Sequence, residues 1–148
     1  GLKTALVEKQ WLGGTCLNAG CIPTKSMLYA VKLLRECREA AAFGVNAGSH
    51  SFDYSRICAR RRETVAALVK GVQAKLKRAQ VEVIEAAAKI LSPGRVAAGD
   101  RVLETRQILI ATGSQAAVPP IPGIDLPHVL EAAALMELPA PPRARSSR

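Results

Sequence analysis

Apolar and polar residues change their period along this chain, and each change marks an element. Residues 4–8, TALVE, run apolar toward an acidic end, as a short buried parallel strand does. From Pro23 to about Ala42 the residues Met27, Val31, Leu34, Cys37 and Ala41 recur at three- and four-residue steps. That spacing predicts a helix with one buried face and puts Cys37 in its packing stripe. A second helix is predicted from Asp53, an N-cap candidate, to about Gln80, with Ile57, Cys58, Val65, Leu68, Val72 and Leu76 on or near its inner face. Cys58 therefore reads as core. Between the two helices, residues 43–52 contain Gly44, Asn46, Gly48 and Ser49 and read as a loop, with His50 a solvated side chain.

Beyond residue 80 the period becomes alternating. Residues 81–85, 89–91, 95–97 and 101–104, separated by Ser92-Pro93-Gly94 and Ala98-Gly99-Asp100, predict one strand followed by a small antiparallel meander. The run QILIAT, 107–112, is continuously apolar, reads as a further buried strand, and closes in Gly113, where a small residue lets backbone approach a ligand. Residues 116–138 read as a connector, proline-rich and extended over 116–127, with His128 given no catalytic role. The tail, PAPPRARSSR, has almost no apolar anchor and is expected to be disordered. The predicted class is α/β, with residues 1–115 as one domain.

Composition narrows the function classes. Of 148 residues 49% are hydrophobic but only 3% aromatic, so the core must rest on Ala, Val, Leu and Ile. The net charge of +9 comes partly from Arg60, Arg61, Arg62, Lys70, Lys75, Lys77 and Arg78, spaced as the solvated face of the second helix. With no aromatic interleaving beyond Tyr54 and no reader motif, this pattern argues against nucleic-acid binding. No run approaches the roughly 18 apolar residues of a membrane span, and residues 2–7 are too short for a signal, so a cytoplasmic protein is expected.

Candidate chemistry is concentrated in GGTCLNAGCIPTK, Gly13 to Lys25. Zinc sites pair cysteines two to four apart and add a second pair or histidines, whereas Cys37 and Cys58 are isolated, so no metal is expected. The spacing also differs from C-x-x-C. What is left is a C-x-x-x-x-C loop in which Gly20 allows a tight fold and Pro23 suits the first turn of a helix. Cys21 then lies at a helix N-terminus with Lys25 one turn on, an electropositive setting that favours thiolate and thiol exchange.

These residues resemble the active-site signature of the class I flavin-dependent pyridine nucleotide-disulfide oxidoreductases, above all the dihydrolipoamide dehydrogenase branch. Glutathione and mercuric reductases share the frame but tend to carry Val where this chain has Leu17 and Ile22. The strand before the signature and QILIATGS, 107–114, extend the resemblance over nearly the whole chain. It implies a partial FAD-binding Rossmann-like domain with a redox-active Cys16–Cys21 disulfide, and FAD as cofactor with NAD used by the intact enzyme. A dithiol or lipoyl-protein substrate would attack Cys16, leave Cys21 as a thiolate against the flavin, and send electrons on to NAD. Catalytic roles are thereby implied for Cys16, Cys21 and Lys25. Cofactor contacts are implied for Glu8, Lys9, Gly13, Gly14, Thr15, Lys25, Ala88, Ala111, Thr112 and Gly113, with Glu8 on the ribose hydroxyls. The family usually has glycine where Ala86 stands. Because no G-x-G-x-x-G occurs, the resemblance also implies a piece lacking the first βα unit and later domains, unable to turn over alone, from a homodimeric enzyme.

Overall fold

The computed structural model describes residues 2–142, and these form two compact units. The first unites the N-terminal stretch through Thr15 with Ala67–Gln115, and the second unites Cys16–Ala66 with the segment from Ala116 onward. Arg143 to Arg148, most of the tail expected to be disordered, lie outside the described residues.

In the first unit, strand β1 (Ala5–Glu8) pairs in parallel with β2 (Glu82–Glu85), from Ala5 opposite Glu82 to Glu8 opposite Glu85. Glu82 N–H donates to Thr4 C=O at 3.0 Å and Ala86 N–H to Glu8 C=O at 3.1 Å, so the ladder extends past both ends. Parallel neighbours need a crossover between them. Here that crossover comprises α1 (Gly14–Ala19), α2 (Cys21–Glu39), a 3-10 turn (Ala40–Phe43) and α3 (Tyr54–Arg78). An antiparallel meander follows as β3 (Ala88–Ser92), β4 (Arg95–Ala98) and β5 (Arg101–Glu104), in the order expected from the alternation. The buried apolar residues of this unit are Ile84, Val96 and Ala98. Gly94 makes the first meander turn possible: its φ is +78°, and a Cβ there would stand 2.9 Å from Thr105 C=O.

The long helices match their predicted extents, with local exceptions. Asp53 is the N-cap of α3, its Oδ1 accepting from Arg56 N–H at 3.1 Å and from Ser55 Oγ at 2.6 Å, and these two bonds hold its carboxyl below the usual range. At the other end Gln80 adopts φ +55°, while its N–H bonds to Lys77 C=O and that of Val81 to Leu76 C=O, both at 3.0 Å. This is a Schellman ending with glutamine where glycine is usual.

Several expectations are corrected. Cys37 is exposed, as are Val31 and Ala41, so the stripe of α2 is covered only around Met27 and Leu34. Leu68 of α3 is exposed too, whereas Cys58 is buried as expected. Arg61 is not on a solvated face: it is 3% exposed, because Glu137 supplies a counter-charge that local periodicity does not reveal. Residues 107–112 form no strand, and Leu109 and Ile110 are 91% and 68% exposed. A parallel strand forms only beside a neighbour, and none among the described residues pairs with this run. The connector also contains a helix, α4 (Ala132–Met136), with Met136 buried.

Candidate redox and nucleotide site

The carboxyl end of β1 turns on its last side chain. Oε1 of half-buried Glu8 accepts from Gln10 N–H at 2.8 Å and Trp11 N–H at 3.2 Å, bending the chain out of the strand. Gly14 N–H then closes a turn on Trp11 C=O at 3.0 Å. Gly13 and Gly14 have φ of +94° and +68°, a region side chains avoid, and a Cβ on Gly14 would meet nothing within 4 Å. A side chain at Gly14 would therefore meet no neighbour, and φ alone selects glycine there. Because Glu8 lies opposite Glu85 and bonds to Ala86, the ends of β1 and β2 and the start of β3 at Ala88 come together. Lys9 and Thr15 are exposed beside this turn, while Ala111, Thr112 and Gly113 lie in the irregular, exposed segment.

Cys16 and Cys21 belong to the second unit and form a disulfide, with Cα atoms 4.7 Å apart, inside the range such bridges require. The segment joining them is helical where the sequence suggests a loop. Cys16 lies within α1, Gly20 leaves helical geometry for a single residue at φ −135° and ψ −107°, and Cys21 is the first residue of the 19-residue α2. Thr24 N–H donates to Gly20 C=O at 3.1 Å, closing the first turn. Pro23, third in the helix and fully buried, lacks only an N–H that the first turn would leave without an intrahelical partner. Both bridge cysteines and Lys25 are exposed, and Lys25 continues into an open groove along α2 with Leu28, Tyr29 and Lys32.

Two contacts that sequence reasoning missed bear on this helix. Thr24 Oγ1 donates to Met136 Sδ at 3.3 Å. The next residue, Glu137, accepts a two-pronged pair from Arg61, with Nη2 to Oε2 at 2.8 Å. Those hydrogen bonds hold the Glu137 carboxyl below its ordinary range and push the guanidinium up. Arg61 Nε is buried without a hydrogen-bond partner among the described residues. The only sequence signal was an acidic residue closing an apolar run, EAAALME, which has many innocent readings. Among the described residues no group of three or more His, Cys, Asp or Glu is placed to hold a metal ion, and no helix is long and apolar enough to cross a membrane.

Comparison with known proteins fits this arrangement. The profile of the pyridine nucleotide-disulphide oxidoreductases matches residues 1–141. A dihydrolipoyl dehydrogenase of Acholeplasma laidlawii is 43% identical over 125 residues, covering 84% of this chain and 37% of that protein. One of Bacillus subtilis is 37% identical over 149 aligned positions, covering 95% and 32%. Among solved structures, the Cu(II) complex of the HOCl-induced flavoprotein disulfide reductase RclA from Escherichia coli superposes with a TM-score of 0.74 at 29% identity, over 94% of this chain and 29% of that one. The Cys16–Cys21 bridge and the glycine turn after β1 both fall within the matched residues. The chain belongs to the pyridine nucleotide-disulphide oxidoreductase family. It spans about a third of the length of the curated relatives it matches.

Proposed function

We propose that the chain carries the disulfide and flavin-nucleotide parts of a dihydrolipoyl dehydrogenase-type oxidoreductase that acts on lipoyl dithiols, free or protein-borne, as a homodimer. The observation that carries this reading is the exposed Cys16–Cys21 bridge seated on the first turn of α2. One substrate thiolate attacks Cys16 Sγ, the intramolecular S–S bond breaks, and Cys21 leaves as a thiolate that the helix N-terminus stabilises. The second substrate thiol then attacks the mixed disulfide, releasing a cyclic disulfide and leaving both cysteines reduced by two electrons. Cys21 is the better leaving group because the longer helix begins at its own residue.

The residues of the first unit fit FAD. Glu8 commits one carboxylate oxygen to loop amides and keeps the other as an acceptor for ribose hydroxyls, and the turn at Gly13 and Gly14 carries no side chains between backbone and a ligand. Lys9, Thr15, Ala88, Ala111, Thr112 and Gly113 would complete the contacts. When bound, FAD supplies the two-electron relay between this sulfur couple and NAD. The test is anaerobic treatment of the oxidised chain with dihydrolipoamide and a thiol count in denaturant. The count should rise from two, Cys37 and Cys58, to four. A bridge that dithiothreitol opens and dihydrolipoamide does not would overturn the substrate assignment. For the nucleotide, Glu8→Gln should weaken FAD binding, followed by fluorescence quenching, by roughly tenfold or more.

A further inference from the structure

The disulfide has a support that its own signature does not contain. One hydrogen bond on the first turn of α2 comes from a short stretch of chain more than a hundred residues away. In that stretch two neighbouring side chains point to two different helices. Met136, 8% exposed, receives the hydroxyl of Thr24, and Glu137 receives both terminal nitrogens of Arg61 on α3. Thr24 is three residues from Cys21, and its N–H closes the turn that begins at Gly20. Arg61 is almost wholly buried while most of the Glu137 side chain is exposed, so the pair anchors from the protein side and can open toward solvent.

We propose that Arg61, Glu137, Met136 and Thr24 form a latch that positions the redox helix: Glu137 docked on Arg61 holds Met136 against Thr24, fixing the turn that presents Cys21 to Cys16. None of the four touches the sulfur atoms in a described bond, so they are positioning residues and not catalytic ones. Latch and bridge share one turn of helix, so each stabilises the other. Linkage makes the effect reciprocal: a docked latch favours the closed disulfide, and opening the disulfide loosens the latch by the same factor. Reduction by a dithiol such as dithiothreitol converts the S–S bond to two thiols with formation of the cyclic dithiothreitol disulfide, and frees Cys21 from its constraint.

The test is the equilibrium between the full chain and dithiothreitol buffers of graded reduced-to-oxidised ratio, read by thiol alkylation and mass, for the native sequence and for Glu137→Gln, Thr24→Val and Met136→Leu. The ratio at half-reduction should fall by roughly two- to fivefold in Glu137→Gln, the range expected for a partly exposed ion pair, and less but in the same direction in Thr24→Val. Met136→Leu conserves volume and removes only the sulfur acceptor, so it keeps the test available if Glu137→Gln does not fold. Melting temperatures of oxidised and reduced forms separate coupling from mere support. A residue that only stabilises the fold lowers both alike and leaves the half-reduction ratio unmoved, whereas a latch residue lowers the oxidised form more. An unchanged ratio in the variants that fold overturns the latch. The latch rests on reading the bridge as reversible: failure of dithiothreitol to open it in the native chain would overturn both, while ready opening with identical midpoints would overturn the latch alone.

Discussion

Glu137 is the side chain whose behaviour follows most directly from its surroundings. Arg61 holds its carboxyl below the usual range, so the folded state binds this proton less readily than the unfolded chain does. Its contribution is therefore complete above the ordinary carboxylate pKa of 4.5 and is lost as pH falls through the lower folded value. Acid melts followed by circular dichroism should show stability declining over that window, and Glu137→Gln should flatten the decline. Because the side chain is 66% exposed, the effect should stay under about 1 kcal/mol. Residues at this scale were legible in unequal measure. Cys16, Cys21 and Glu8 stand out because they lie within one short stretch whose motif is local in sequence. Arg61 and Glu137 are separated by 76 residues, and inside the run Arg60-Arg61-Arg62 nothing distinguishes the buried member from its solvated neighbours.

Helices announced themselves better than the last strand did. The N-cap at Asp53 and the stop near Gln80 follow from local hydrogen bonding, which needs no knowledge of the rest of the fold. Residues 107–112 carry the same apolar signature as a buried strand, but a strand is completed only by a partner, and their sequence says nothing about whether one is present. The stripe on α2 failed for the same reason, since a periodic face shows where cover would be needed and not that it exists. One element-level change should strengthen the fold. Gln80 holds φ +55° at the end of α3, so Gln80→Gly relieves the left-handed penalty while keeping both capping bonds. Chemical denaturation should show a gain of up to about 1 kcal/mol, reduced by the greater freedom of glycine in the unfolded chain.

Across the whole molecule, little apolar surface is enclosed. Cys58, Ile84, Val96, Ala98 and Met136 are the buried hydrophobic residues described, against exposed Leu109, Ile110, Leu28, Tyr29 and Val31. The alternation of helix and strand was readable from the sequence, but this scarcity of cover was not, because it depends on what packs against each face. An apolar stretch with free backbone groups is a template for pairing between chains. We expect Leu109→Lys, which places a charge in the middle of that stretch, to raise the concentration at which light scattering still reports a monomer. An unchanged threshold would place the association elsewhere.

The exposure of Cys37 has a practical corollary. With Cys16 and Cys21 joined and Cys58 enclosed, a folded oxidised sample offers a single accessible sulfhydryl. One equivalent of maleimide should tag α2 at that position alone, sixteen residues after the bridge, giving a reporter dye on the redox helix without any engineered handle. Left unprotected in air, the same atom should stitch two molecules into a covalent pair that vanishes on a reducing gel, and Cys37→Ser should abolish the pair.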